Sequence, residues 1–372
     1  MAKTVLCPTC QQRKKHRGAK QCLHCHLNSW PQSAAEIPSD QQVREDQKQL
    51  QQKAKERDLG KLYKEALETI ARQQALLNNA TQLQSVSGAP LVIEPKYGSG
   101  TSEATIVTPA SDWHIEEKVG DEVGGLNEFS LEIAEKRVTQ FFQHSLRLCR
   151  LLEQDIKIPT WVLPLLGDFI TNDIHEEMPE KNGLLPIEAI TLAQTWIKSG
   201  IDFLLNHTKQ QLVIPCHSGN HARTTKTTRF GSEGGHSLEH FMYANLAMLY
   251  ANEPRVQVQL PKGIHSYLQV YDQTIRFHHG HALKYGGGVG GIYIPVNKAL
   301  AQWNKGRHAD LDVFGHFHQL RDGGNFICNG SIIGYNAFAM SIKADYERPR
   351  QALFLMDKKR GRTCLWPILF NV

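Results

Sequence analysis

From residue 103 onward, short apolar runs alternate with stretches in which apolar residues return every three or four positions. The short runs Ala104–Pro109, Thr160–Leu166, Gln211–Cys216, Thr274–His278 and Leu311–Phe314 read as apolar strands. Asn127–Glu153, Pro186–His207, Ser237–Tyr250 and Val296–Asn304 carry the helical period. Pro186 stands where a missing N–H costs nothing. Arg255–Leu260 and Ser266–Val270 alternate apolar and polar residues, as exposed strands do. Phe326–Cys328 and a C-terminal hairpin turning at Asp357–Gly361 complete the pattern. This alternation predicts an α/β (α+β) domain over residues 103–372, with helices covering sheets.

The chain before it is different. Between Pro38 and Ser85, Val43, Leu50, Leu59, Leu62, Ala66, Ile70 and Leu77 recur near helical spacing among Gln, Lys and Glu. The segment 31–86 therefore reads as one long helix, or two with a break at Gly60. So narrow a stripe cannot bury itself, so it is expected to pack on the main domain or on a partner helix, in a homo-oligomer for example. Residues 87–102 read as a linker.

Residues 1–30 hold two CxxC knuckles, Cys7–Cys10 and Cys22–Cys25, separated by eleven residues. Each such turn delivers two thiolates to one side of an ion, so a small ribbon around one structural Zn2+ is expected. His24 or His26 is an alternative ligand to a cysteine, and a redox dithiol is the competing reading of either knuckle alone. Cys149, Cys216, Cys328 and Cys364 lie among apolar residues and read as buried thiols.

Bulk composition excludes little beyond this. The chain has 372 residues, 41% hydrophobic and 21% charged, which suits two or three soluble domains. No apolar run reaches the roughly 18 residues of a membrane-spanning helix, and the N-terminus has no apolar core for a signal peptide. A cytoplasmic protein without a membrane partner is expected. The net charge of +5 is unevenly placed: residues 1–30 contain Lys3, Arg13, Lys14, Lys15, Arg17 and Lys20 and no acid. That asymmetry points to an acidic partner such as nucleic acid, with a solvated basic loop as the plain alternative.

Five predicted strand ends bear metal-ligand residues. Asp112 and His114 stand in SDWHIEE, Asp168 in LLGDFITND, and Asn220 and His221 in HSGNHAR. His278, His279 and His281 crowd FHHGHA, and His316 and His318 close GHFH. Taken singly, an Asp after a strand is a turn former and a His a hydrogen-bonded core residue. Jointly, residues at strand C-terminal ends converge on one crevice of an α/β sheet. Mixed carboxylate, amide and imidazole donors there suit two divalent ions about 3.5–4 Å apart.

In this order the blocks DxH, GD, GNH, a later His and GHxH resemble the calcineurin-like metallophosphoesterase superfamily. The resemblance implies a four-layer fold, two mixed β-sheets flanked by helices, with a dinuclear centre at their edge. Carried over, Asp112, His114, Asp168 and His318 would hold one ion. Asp168, Asn220, His279 and His316 would hold the other, with His278 and His281 as alternatives to His279. The implied chemistry is phosphodiester hydrolysis by a hydroxide bridging the two ions, with His221 serving the departing oxygen. The imidazole-rich set favours Mn2+, or Fe, over Mg2+.

Protein Ser/Thr phosphatases carry an Asp-Arg pair after the second block and a Glu after GNH. Thr171-Asn172-Asp173 and Ala222 stand here instead. The layout is nearer to DNA-repair nucleases of the SbcD type and to phage-encoded phosphoesterases, which would act in a host cytoplasm. Arg223, Lys226 and Arg229 follow GNH as candidate phosphate or nucleic-acid contacts, joined by Arg13, Lys14 and Lys15 of the ribbon. A nuclease is the leading expectation. The alternatives are a phosphoesterase for nucleotides or other small molecules, and an adaptor with a vestigial site.

Overall fold

A computed structural model describes residues 39–85, 102–174, 178–260, 263–285, 291–341 and 344–370. The ribbon cysteines, the basic run with Arg13, Lys14 and Lys15, and most of the linker lie outside them. The chain divides into two units, 1–94 and 95–372.

In the first unit α1 (Asp40–Ser85) is one helix that runs through Gly60 without a break. Leu50, Leu59, Leu62 and Leu77 on it are exposed. Among the described residues no helix is long and apolar enough to cross a membrane.

The second unit contains two mixed sheets. The first has six strands in the order β11-β10-β1-β2-β3-β4. These are β1 (Ser102–Val107), β2 (Ile156–Val162), β3 (Gln211–Pro215), β4 (Val256–Gln259), β10 (Arg350–Asp357) and β11 (Gly361–Leu369). β1, β2, β3 and β4 run parallel, and β10 joins β1 antiparallel. The second sheet has the order β5-β6-β7-β9-β8. Its strands are β5 (Ser266–Val270), β6 (Gln273–Phe277), β7 (Leu311–Phe314), β8 (Arg321–Asp322) and β9 (Phe326–Cys328). β6, β7 and β9 are parallel to one another.

Period-two alternation distributes the side chains between layers. Ile106, Trp161, Leu353 and Leu355 point to one core, which they share with Val138 and Phe141 of α2 (Leu131–Leu152), Ala193 and Ile197 of α3 (Pro186–His207), and Met242 and Leu246 of α4 (Leu238–Leu249). Their neighbours Val107, Val162, Phe354 and Met356 point the other way, onto Ile275, Phe277 and Val313 of the second sheet. Beyond that sheet, Phe314, Phe326 and Cys328 pack on Val296 and Leu300 of α5 (Tyr293–Gly306). The order is helices, sheet, sheet, helix, the four-layer architecture expected. Burial on both faces explains why the strands read as continuous apolar runs.

One strand is displaced from its expected position. The apolar run Thr160–Leu166 predicts a strand there, but β2 begins at Ile156 and ends at Val162. Its register against β1 shifts between Glu103 and Thr105, so that Ile158 and Pro159 together face Ala104. A bulge of this kind tolerates a proline, which has no N–H for the ladder.

Candidate metal centre

β1, β2 and β3 end side by side, and β6 and β7 end beside them across the sandwich. The backbone beyond each strand is pinned to its neighbours. Asp112 N–H donates to Gly167 O at 2.9 Å and Trp113 N–H to Asp168 O at 2.8 Å, while Gly315 N–H donates to His279 O at 2.8 Å. His279 Nδ1 contacts Leu166 O at 2.7 Å and ties the second sheet to the first.

Seven non-glycine residues among those described have positive φ, and five are Asp112, His114, Asp168, His316 and His318. The left-handed region costs each of them of order 1 kcal/mol or more, so the surrounding structure must impose it. Asp112 and His114, and His316 and His318, face the centre while the residues between them, Trp113 and Phe317, pack into the hydrophobic clusters. The flanking glycines make room. A Cβ on Gly219 would lie 2.0 Å from Asp168 Oδ1, and one on Gly315 would lie 2.3 Å from Asp112 Oδ2.

Three groups of ligand-type atoms result, each within 4.8 Å: Asp112, His114 and His318; His114, Asp168 and His221; Asp168, His279 and His316. Asp168 belongs to two of them. Asn220 joins the third, with its Oδ1 3.1 Å from His279 Nε2. Of the three histidines in FHHGHA, His279 is the one in a group. His278 stacks on Phe314 at 4.9 Å, and His281 stacks on Phe230 at 5.5 Å.

The tautomers follow from the partners. Thr171 Oγ1 donates to Glu117 Oε2 at 3.2 Å, so it accepts from His114 Nδ1–H at 3.0 Å. His114 Nε2 is then a lone pair, and it stands 3.2 Å from His318 Nε2. His279 Nδ1–H is committed to Leu166 O, and its Nε2 meets Asp168 Oδ2 at 3.0 Å. Each of these close approaches is bridged either by a proton or by a cation. Two carboxylates, an amide oxygen and four imidazoles form a donor set that fits divalent transition ions.

The protonation energetics agree. Burial pushes Asp112 up to about 7. Burial also pushes Asp168 up, but His279 and His221 outweigh it and hold the carboxyl well below its usual range. Burial would lower His279, yet the Asp168 charge lifts it to about 10. His114 and His316 are held well below the usual imidazole value, and His318 is pushed down to about 4, in each case mainly by burial. His114, His316 and His318 are thus neutral around a charged Asp168, as metal binding requires, while His279 carries a proton that a bound cation would displace.

His221 sits at the flank of the centre. Its N–H donates to Asp168 Oδ1 at 2.9 Å, its Nδ1–H to Thr171 O at 2.9 Å, and its ring lies 4.9 Å from His114. Arg223 is spent on its own loop: its guanidinium donates to Asn220 O at 2.6 Å and Thr225 O at 3.1 Å. Lys226 and Arg229 are exposed on the same loop. Arg13, Lys14, Lys15 and the four ribbon cysteines lie outside the described residues.

The residues supporting the centre carry no local sequence signal. Buried Glu239 of α4 accepts Phe169 N–H and Gly219 N–H, both at 2.7 Å, and so holds the GD and GNH turns together. Glu116 accepts Thr171 N–H and Asn172 N–H, and Asn172 Nδ2 donates to His221 O and Arg223 O. Asn336 donates to Glu117 from far along the chain. Only Glu116 and Glu117 had a hint, as the acids closing SDWHIEE.

No family model and no curated protein sequence matches the chain. Solved structures similar to it include a hypothetical protein from Pyrococcus horikoshii OT3, with 12% identity and a TM-score of 0.35 over 72% of this chain and 89% of that one. A single mutant of Vps29 from Entamoeba histolytica has 13% identity and a TM-score of 0.31 over 72% and 100%. A predicted phosphoesterase from Streptococcus pneumoniae TIGR4 has 12% identity and a TM-score of 0.28 over 71% and 98%.

Proposed function

We propose that residues 95–372 form a dinuclear metal-dependent phosphoesterase that hydrolyses phosphodiesters of nucleic acid. The observation that carries the reading is the position of Asp168, whose carboxylate is grouped with His114 on one side and with His279 and His316 on the other. In this reading Asp112, His114, Asp168 and His318 hold one ion, and Asp168, Asn220, His279 and His316 the other. When bound, a pair of Mn2+ or Fe ions supplies Lewis-acid charge to the phosphate and lowers the pKa of water.

The chain's own residues do the rest. Hydrolysis forms a P–O bond to the oxygen of water and breaks the P–O bond to the leaving group, whose oxygen then needs a proton. With Nδ1–H fixed on Thr171 O, His221 has Nε2 as the nitrogen that delivers it. The Asp168 contact to His221 N–H keeps that donor in register with the centre.

Exposed Lys226 and Arg229 beside GNH support a polyanionic substrate. The ribbon of Cys7, Cys10, Cys22 and Cys25, with Arg13, Lys14 and Lys15, would add a second grip in a cytoplasmic, phage-type setting. The test is incubation with Mn2+ and labelled single- and double-stranded DNA and RNA. Cleavage lost in Asp168→Asn is expected; wild-type cleavage no greater than that variant's would overturn the reading.

A second reading, a phosphoesterase for nucleotides, is favoured by a bounded cavity beside Asn220. It predicts turnover of a generic aryl phosphodiester that survives deletion of residues 1–86.

A further inference from the structure

Beside the centre, on the Asn220 side, lies a cavity of about 500 Å3 whose walls include His217, Ser218, Phe230, Glu233, Tyr243 and Leu260. Ser218 lies two positions ahead of Asn220, and Glu233 also borders the small recess that Asn220 lines. The polar groups of its floor are already paired: Tyr243 Oη donates to His217 O at 2.9 Å, and His217 Nε2 meets Ser266 Oγ at 2.7 Å. What the walls offer a ligand is the 49%-exposed ring of Phe230, the Leu260 side chain, the Glu233 carboxyl and the imidazoles of His236 and His240.

The cavity and the centre share a partition. Phe230 stacks on His281 at 5.5 Å with an interplanar angle of 14°. His281 in turn stands 5.5 Å from the His279 ring and 3.4 Å from Glu233. A group in the cavity is therefore separated from His279 by a wall residue and His281.

We propose that this cavity receives the organic group esterified to the reacting phosphate, and that the group is a single nucleobase. The proposal rests on the phosphoesterase reading above. The volume falls within the range of small-molecule sites, roughly 300–1,000 Å3, and admits a nucleoside but not a stacked duplex. An exposed aromatic ring is the sequence-tolerant platform on which a base stacks. The Glu233 carboxyl in the wall offers a hydrogen-bonding group to the polar edge of a neutral heterocycle. The scissile ester is then one at a strand end, in an unstacked strand or in a free nucleotide.

Gly235 also lines the cavity; a Cβ there meets nothing within 4 Å, and its φ is not left-handed. Gly235→Leu thus narrows the cavity from a position whose Cβ has room, and Phe230→Ala removes the platform from an exposed position. Two measurements test the proposal on the full chain with Mn2+: the ratio of kcat/KM for thymidine 5′-(p-nitrophenyl phosphate) over methyl p-nitrophenyl phosphate, and calorimetric binding of thymidine 5′-monophosphate against inorganic phosphate. The wild type is expected to prefer the nucleotide in both, and each variant to reduce that preference by about tenfold or more. Hydrolysis of both esters with equal efficiency and no preference in binding would overturn the base site while leaving the phosphoesterase reading intact. Preferential nucleotide binding without hydrolysis would uphold the site and overturn that reading instead.

Discussion

The Nε2 atoms of His114 and His318 lie 3.2 Å apart on residues 204 positions distant in the chain. Because Thr171 commits His114 to the tautomer with a bare Nε2, that nitrogen is free to accept from His318 Nε2–H or to bind a cation. The pair marks one half of the centre, and His279 with His316, whose rings are 5.1 Å apart, marks the other.

The first prediction separates those halves. His318→Ala is expected to lose one of two bound ions, His316→Ala the other, and Asp168→Asn both. Each variant loses activity. Elemental analysis of protein loaded with Mn2+, with a calorimetric titration of each variant, checks this. Equal loss of both ions in His316→Ala and His318→Ala would count against the division.

The convergence of Asp112, His114, Asp168, His279, His316 and His318 was legible because short polar sets at the ends of apolar runs form a pattern that survives without structure. The bounds of α3 were legible for a local reason as well: Pro186 starts it, and Leu185 N–H donates to Glu188 Oε2. Glu239 was not legible, since the turns it joins lie 20 and 70 positions away and its own surroundings read as an ordinary helix. Arg223 reads as a phosphate contact, and the hydrogen bonds it donates to Asn220 O and Thr225 O are set by a loop geometry that no local pattern encodes. The bulge at Pro159 depends on pairing with β1, which no local pattern encodes. A Gly60 that leaves α1 unbroken shows that a lone glycine costs a helix only about 1 kcal/mol.

Thr171 orients two imidazoles, His114 through its hydroxyl and His221 through its carbonyl. Thr171→Val removes the hydroxyl alone and keeps the carbonyl. Metal affinity and activity are expected to fall about 10- to 100-fold, as for other outer-shell partners, while Thr171→Ser stays near wild type. A Val variant with unaltered Mn2+ affinity would show that the Glu117–Thr171–His114 chain does not tune the ligand.

Gly219→Ala tests the close approach of GNH to GD. The added methyl would stand 2.0 Å from Asp168 Oδ1 and 2.4 Å from Asp168 N. Backbone must shift, at a cost of roughly 1–3 kcal/mol typical of overpacking. The expected result is a lowered Tm with activity lost beyond what that stability change explains, measured on protein that retains its far-UV circular dichroism. A variant with wild-type kcat and Mn2+ stoichiometry would remove this contact from the account.

Glu116 gives a pH-dependent prediction. Burial pushes its carboxyl from 4.5 to about 7, against the hydrogen bonds it accepts from Asn172 and Thr171. Between those two values the folded chain holds more protons at this site than the unfolded one, so stability falls as pH rises. The contribution is complete below about pH 4.5 and lost as pH passes through about 7. Both N–H bonds reach Oε1, and Oε2 has no partner, so the amide of Glu116→Gln preserves the accepted bonds. The amide does not titrate. Its fixed cost, an unpaired buried NH2, is the same at every pH. The stability of Glu116→Gln relative to wild type, in chelator, should therefore rise between pH 5 and pH 8 by something on the order of 1–3 kcal/mol. Denaturant melts of both proteins at the two pH values measure it, and taking the difference cancels the other titrating groups. A difference that is flat or falls with pH would show that Glu116 is already ionised in the folded chain at pH 5, with its Oε2 charge met by a partner such as water.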